Sequence, residues 1–214
     1  MTMRPLTSLA FVAVVASGAG LALIAAAPAV QSERTPAPSS TSMSASTFDV
    51  DDVHSATFFR VQHLGAGQFW GRINDVSGTF TSANGSPEGV RFDITVKASS
   101  VDTNTEKLNE HLRSPDFFNA KEFPTLTFKS TGVKAAKQGF FDVTGDFTLH
   151  GVTKPVTATV EFTGQKAGKA GDRAGYEATF TIKRSEFGMN YGVDNGMLGD
   201  EVRIIVNLEG VKKS

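Results

Sequence analysis

Hydrophobic and polar residues alternate along most of the chain after residue 47, which is the period of a β-strand with one buried face. The pattern is plainest where Val90, Phe92, Ile94 and Val96 alternate with charged or hydroxyl-bearing residues. It predicts eight or nine strands. The other predicted strands lie near 53–63, 68–75, 77–83, 125–129, 140–150, 156–163, 176–183 and 202–208.

Turn residues separate these predicted strands. Asn84-Gly85 is a strong hairpin signal, and glycines stand at the ends of four further strands, at positions 139, 151, 164 and 175. A sheet with one face to hide can close on itself at eight strands, and such a barrel holds side chains or one small ligand. The fold class is therefore all-β, an eight-stranded antiparallel barrel. A two-sheet sandwich would show the same alternation.

One segment, about residues 104–119, has the pattern of a helix. Thr103 and Glu106 stand at capping-box spacing, and Leu108 and Leu112 share one helical face. Pro115 has no N–H to donate, so it suits a fresh helix start better than a helix interior.

Three phenylalanines follow this helix, at positions 117, 118 and 123. They predict a lid that lays aromatic rings over an apolar cavity. The same rings could instead cap a solid core, and the sequence favours neither arrangement.

The N-terminal region differs from the rest. Residues 1–29 combine Arg4, an apolar run and the ending Ala27-Pro28-Ala29, which predicts a secretory signal peptide cleaved near Ala29. The run is long enough that an uncleaved membrane anchor is the alternative. Residues 30–47 are rich in Ser, Thr, Pro and Ala, and we expect a disordered linker. A single domain then spans 48–214, and its predicted location is periplasmic or secreted.

The amino-acid composition favours an apolar ligand over a thiolate-bound metal or a nucleic acid. The chain has 17 Phe against 2 Tyr and 1 Trp, and Phe suits surfaces that meet hydrocarbon, although a dry core would explain the same excess. The absence of Cys excludes disulfides and thiolate metal sites. A formal charge of -1 implies no basic face for nucleic acid.

Residues typical of catalysis do not cluster in the sequence. The four histidines, at positions 54, 63, 111 and 150, show no metal-ligand spacing, and only strand pairing could bring His54 near His63. No nucleophile elbow, dinucleotide fingerprint or phosphate loop is present. Asp49, Asp51 and Asp52 are interpreted as a solvated strand entry, and Arg184 with Glu186 as a loop ion pair. We expect no enzyme, no cofactor and no metal.

Six phrases of the sequence have a combined pattern: DVHS (52–55), VQHLG (61–65), HLRSPDFF (111–118), FPTLTFKS (123–130), GDFTLHGVTKPV (145–156) and RSEFGM (184–189). Together they resemble one family, the YceI-like, lipocalin-like polyisoprenoid-binding proteins of bacteria. HGVTKPV and RSEFGM are the most specific, and the resemblance extends over about residues 48–212. It implies an exported barrel that binds a long isoprenoid or similar amphiphile without catalysis.

The inward positions of the strands, the lid and the glycine-rich loop 185–200 supply the candidate ligand-binding residues. We expect this loop to lie beside the helix, with Met197 also facing the pore, and polar residues at the mouth to meet the ligand head group. Homodimerisation and proximity to a membrane stay open. The alternatives are a metal- or haem-associated accessory protein and a solid-cored structural barrel. The candidates are Phe59, Val61, Phe92, Ile94, Val96, Phe117, Phe118, Phe128, Phe147, Leu149, Val160, Phe162, Phe180, Ile182, Phe187, Met189, Ile204 and Val206.

Overall fold

The computed structural model describes residues 44–213. The predicted signal peptide and residues 30–43 of the predicted linker lie outside this range. The first strand begins at Ser46, two residues before the predicted start of the domain.

Eleven strands make one antiparallel sheet. Alternating sequence gives alternating burial, as in β5, where Val90, Phe92, Ile94 and Val96 are buried between more exposed neighbours. The strands are β1 (Ser46–Val50), β2 (Ala56–His63), β3 (Gly67–Ile73), β4 (Val76–Ala83), β5 (Ser86–Lys97), β6 (Val101–Asp102), β7 (Thr125–Ala135), β8 (Phe140–Leu149), β9 (Val152–Lys166), β10 (Arg173–Lys183) and β11 (Leu198–Lys212).

The sheet closes into a barrel because β1 pairs with both β4 and β11. Three long strands are each interrupted once, between β1 and β2, between β3 and β4, and between β5 and β6. Since β2 pairs with β3 and β3 with β6, each interrupted pair serves as one strand of the wall. The result is a closed eight-stranded antiparallel barrel, which confirms the predicted fold class.

The hairpin predicted at Asn84-Gly85 is confirmed. Asn84 (φ 51°) and Gly85 (φ 83°) both have left-handed backbone and join β4 to β5. Asn and Gly tolerate this conformation better than other residues, which is why the pair is a reliable signal.

The one α-helix among residues 44–213, α1, spans Glu106–Arg113 and is shorter than predicted. Its N-cap is Thr105, and the capping box predicted from Thr103 and Glu106 is wrong. The buried amide of Asn109 takes that role, because its Oδ1 accepts from Thr103 N and from Thr103 Oγ1, both at 2.8 Å. No second helix starts at Pro115, since Ser114 ends α1 with extended backbone and residues 115–118 form turns.

The connections of an antiparallel barrel alternate between its two ends. The turn 64–66, the segment 98–124 with α1, the turn 150–151 and the loop 184–197 lie at one end, here called the lid end. The loop therefore lies at the same end as the helix, as predicted. The other end, the closed end, carries the β4–β5, β7–β8 and β9–β10 connections.

Within residues 44–213, no helix is both long enough and apolar enough to cross a membrane.

Candidate functional site

An apolar cavity lies inside the barrel, between the aromatic rings of the closed end and the lid. The cavity volume is about 130 Å³, about ten times what one buried water needs. Twenty-eight residues border it, and all but four of them are hydrophobic. Such a space suits an apolar molecule larger than water.

Sixteen of the eighteen candidate residues border this cavity. They come from seven of the eight wall strands and from the lid, because alternation places every second residue of a strand inside. They are Phe59, Val61, Phe92, Ile94, Val96, Phe117, Phe118, Phe128, Phe147, Leu149, Val160, Phe180, Ile182, Met189, Ile204 and Val206.

The other two candidates lie away from the cavity. Phe162 packs against Tyr176 at 5.4 Å between ring centroids, toward the closed end and below the cavity floor. Phe187 is almost fully buried behind the wall, with its ring 5.6 Å from that of Phe147. Met197 does not border the cavity either, since its Cε lies beside Gly192.

Twelve further residues complete the wall. Tyr176 belongs to the floor, and its alternation with Phe180 along β10 could have identified it. Thr57 was missed because a hydroxyl side chain does not stand out as an inward position. The others are Ile73, Leu112, Leu126, Thr127, Ala158, Ala178, Arg184, Leu198, Val202 and Leu208.

The lid has two parts that touch each other. Phe118 meets the barrel wall edge-on at Phe59, with ring centroids 6.3 Å apart. Tyr191 of the loop 184–197 lies 5.1 Å from the His111 ring and 5.2 Å from the Phe117 ring. The helix segment and the loop therefore cover the cavity together. Phe123 contributes to the lid end by packing 4.7 Å from His150 instead of facing the cavity.

Arg184 holds the loop part of the lid in place. Its side chain is 3% exposed and donates to the carbonyl oxygens of Met189 (2.9 Å), Gly199 (2.9 Å) and Leu198 (3.4 Å). The predicted ion pair with Glu186 is wrong, because Glu186 instead pairs with Lys154 at 3.2 Å. Burial lowers the pKa of Arg184, and the nearby Asp200 carboxylate opposes that shift.

The four histidines do not converge. His54 and His63 lie toward opposite ends of β2, His111 bonds Asp116 at 2.9 Å, and His150 Nδ1 lies 3.1 Å from the Phe187 carbonyl oxygen. Strand pairing therefore does not bring His54 to His63, and this set offers no shared metal site.

Among residues 44–213, Asp51, His54 and Glu209 form one group whose side chains are typical metal ligands. Arg173 already fills it, since one guanidinium nitrogen donates to both carboxylates at 2.6 Å. This bond, followed by the bond from His54, lowers the pKa of Asp51 from 3.8 to about 2. The sequence position of Asp51 had suggested a solvated strand entry. The structure shows instead that Asp51 is ion-paired.

Comparison with known proteins gives consistent matches. The family model described as the YceI-like domain matches residues 48–210. Protein YceI of Escherichia coli O157:H7 is 42% identical over 167 residues, which cover 77% of this chain and 85% of that protein.

Two solved structures share the barrel. Burkholderia cenocepacia BcnA superposes with a TM-score of 0.67 at 25% identity, over 75% of this chain and 99% of BcnA. A polyisoprenoid binding domain from Saccharophagus degradans superposes with a TM-score of 0.63 at 15% identity, over 79% of this chain and all of that domain. The second likeness shows the fold alone.

Proposed function

Since the chain belongs to the YceI-like domain family, we propose that it holds a long isoprenoid or similar lipophilic amphiphile in the barrel cavity, without catalysing a reaction on it. The apolar cavity beneath a two-part lid is the observation that carries this proposal. The Saccharophagus degradans protein with the same fold is a polyisoprenoid binding domain, so a barrel of this kind is compatible with such a ligand.

The wall chemistry supports a hydrocarbon ligand. Cavity residues such as Phe147, Phe180 and Ile204 offer no hydrogen-bonding atoms, so affinity would come from apolar area at roughly 25 cal/mol per Å² before ordering costs. Specificity for hydrocarbon length and shape would follow from the phenylalanine rings, which cannot collapse into the space without leaving their own packing.

Export is part of the proposal. The N-terminal pattern of residues 1–29 supports a secretory signal peptide and a periplasmic or secreted protein. Outside the cytoplasm such a barrel would transport, store or sequester a lipid that water dissolves poorly. Intact mass of exported protein decides whether cleavage occurs near Ala29, and a full-length species found only in membranes would contradict this part.

The first experiment identifies the bound molecule. Native mass spectrometry of protein exported by its own host should show the chain with an added lipid mass, which organic solvent removes. A metal mass or a coloured preparation would favour the metal- or haem-associated accessory protein. Protein without any bound mass would favour a barrel that acts through its surface.

The second experiment blocks the cavity with a bulky side chain. Val160 is buried and borders the cavity, so Val160→Trp should project an indole into open space and abolish lipid co-purification with modest loss of stability. Val143 is fully buried but does not border the cavity. Val143→Trp is therefore the matched control, and its overpacking should cost roughly 1–3 kcal/mol.

Melting temperature and bound-lipid mass are measured on both variants. Equal destabilisation by the two substitutions, in a protein whose wild type carries no lipid, would mean that the space does not accept a ligand. The proposal would then be withdrawn in favour of the structural barrel.

A further inference from the structure

The cavity wall includes one buried hydroxyl that has no hydrogen-bond partner. Thr57 borders the cavity with 5% of its surface exposed, and its Oγ1 is buried without a partner among the described residues. Burying a hydroxyl without a hydrogen bond is unfavourable. A sequence that only needed to fill this position could have used Val, which has the same shape.

The other polar groups of the wall differ from Thr57. Tyr176 donates its hydroxyl to Ser82 at 2.9 Å, and Arg184 donates to three carbonyl oxygens. Two further buried atoms are without partners in the described residues, Asn74 Oδ1 and His150 Nε2, but neither residue borders the cavity. Thr127 also borders the cavity, but it alternates with the cavity residues Leu126 and Phe128, so its side chain lies on the other face of β7. Thr57 is therefore the position where a molecule inside the cavity could supply the missing bond.

Thr57 lies deep in the barrel. It pairs with Val206 of β11, two residues before Leu208, the deepest cavity residue of that strand. It also lies six residues before His63, the lid-end residue of β2. At about 3.3 Å per residue and a strand tilt of about 40°, Thr57 is roughly 15 Å below the lid end.

The hydroxyl is free to turn toward a ligand. A threonine side chain has three staggered χ1 positions, and one rotation of about 120° moves the hydroxyl to the place of the methyl group and the methyl group to the place of the Cβ hydrogen. Since Oγ1 makes no hydrogen bond in its present position, this rotation forfeits none.

We infer that Thr57 binds the polar end of the ligand, so that an amphiphile with a hydroxyl or carbonyl oxygen enters polar end first and its isoprenoid chain extends toward the lid. This inference rests on the proposed function and makes it more specific. The orientation is the reverse of the one expected from the sequence, in which the head group meets the mouth.

The test compares two probes that differ in one group, geranylgeraniol and the same hydrocarbon with hydrogen in place of the hydroxyl. Equilibrium binding of both is measured on the full domain as wild type and as Thr57→Val. The variant should bind geranylgeraniol about 10-fold more weakly, because the ligand hydroxyl is left unpaired in an apolar site. Its affinity for the hydrocarbon should stay within about 2-fold, since the apolar contacts are unchanged.

Two matched variants complete the test. Thr57→Ser keeps the hydroxyl and should keep the preference for geranylgeraniol. Thr181 lies on the exposed face of β10 and does not border the cavity, so Thr181→Val should leave the preference unchanged. The melting temperature of ligand-free Thr57→Val should not fall, because the substitution removes a buried hydroxyl that makes no bond.

The outcomes separate this inference from the proposed function. If the wild type binds both probes and Thr57→Val lowers the affinity for both equally or for neither, Thr57 does not bind the polar end. Lipid binding would then stand without that role. Wild type that binds neither probe would overturn the proposed function and the inference with it.

Discussion

The two ends of the barrel use the same residue types for opposite results. At the closed end Phe48 stacks on Phe80 at 5.4 Å between ring centroids, and Tyr176 meets Phe80 edge-on at 5.5 Å. All three are at most 1% exposed, so the rings fill that end completely. At the lid end the rings of Phe118 and Phe59 lie 6.3 Å apart and border the cavity. Aromatic content alone therefore does not decide whether a barrel is solid or hollow.

The ends also differ in how their polar groups are held. At the closed end side chains bond to side chains: Tyr176 donates to Ser82, and Ser82 donates to Gln165 at 2.8 Å. At the lid end Arg184 donates to the backbone carbonyls of Met189, in the loop 184–197, and of Gly199, at the start of β11. The closed end thus bonds side chains of strands that are already paired, whereas the Arg184 side chain ties an irregular loop to the first residues of β11.

The largest effect is expected from Arg184→Met, which fills a similar space but removes the three side-chain hydrogen bonds that link the loop to β11. Three carbonyl oxygens lose a charged donor, so the free energy of unfolding should fall by about 3 kcal/mol. Amide hydrogen exchange across residues 185–199 should accelerate more than exchange in β4 and β5. Chemical unfolding measures the change in free energy, and exchange mass spectrometry measures the exchange rates.

Tyr176→Phe is the closed-end counterpart of that variant. It removes one hydrogen bond between neutral groups, which is worth about 1 kcal/mol, and should leave loop exchange unchanged. If Arg184→Met gave the same uniform change in exchange as Tyr176→Phe, the loop would not depend on Arg184.

The difference between the two ends explains which parts of the barrel could be predicted from the sequence and which could not. Alternation along β5 and β10 predicted the barrel and most of the cavity wall, because a period of two fixes which residues face inward. It did not separate Phe162, below the floor, from Phe180 in the wall, since depth along the barrel depends on strand stagger. Stagger is set by pairings between distant strands, which the local pattern does not contain.

The lid was harder to predict for a related reason. The spacing of Thr103 and Glu106 fits a capping box, yet the backbone N–H and the hydroxyl of Thr103 both donate to the buried Asn109 side chain instead. Arg184 and Glu186 are close in sequence, but their partners are loop carbonyls and Lys154. In irregular segments a side chain finds its partner through tertiary contacts, so sequence spacing alone favours the wrong pairs.

A smaller effect should come from the ion pair near the closed end. The pKa of Asp51 is lowered from 3.8 to about 2, mainly by the bond from Arg173. The unfolded chain therefore takes up this proton first as pH falls, and the stabilisation present above about pH 4 is lost as pH approaches about 2. Because Arg173 is partly exposed, solvent screening should limit the loss to about 1 kcal/mol.

Urea unfolding at pH 5 and at pH 2.5 measures this loss. Asp51→Asn should be less stable than wild type at pH 5, and at pH 2.5 the difference should shrink to about a third, because the folded-state pKa of about 2 has not yet been passed. The control is Asp49→Asn, since the Asp49–Lys213 pair is more than half exposed on both sides and should contribute little at either pH. Parallel pH profiles for wild type and Asp51→Asn would contradict the assignment.

The smallest effect concerns two turns with similar backbone and different residues. Leu64 at the lid end has φ 52° and is 62% exposed, while Asn84 at the closed end has φ 51°. Leucine is strained in left-handed backbone and asparagine much less so. Leu64→Asn should therefore raise the free energy of unfolding by about 0.5–1 kcal/mol, and Asn84→Leu should lower it by a similar amount.

The reciprocal pair tests whether the strain is a property of the turn or of the end where it lies. The bond from Leu64 N to the Met197 carbonyl oxygen (2.8 Å) uses the backbone, so it survives the substitution. Thermal unfolding of both variants measures the two changes. Changes in unfolding free energy of equal size and opposite sign would show that the same backbone preference applies at both ends. Leu64 would then be a residue that lowers stability at the lid end. No gain from Leu64→Asn would show that packing of the exposed leucine offsets its strain, and this part of the contrast between the ends would disappear.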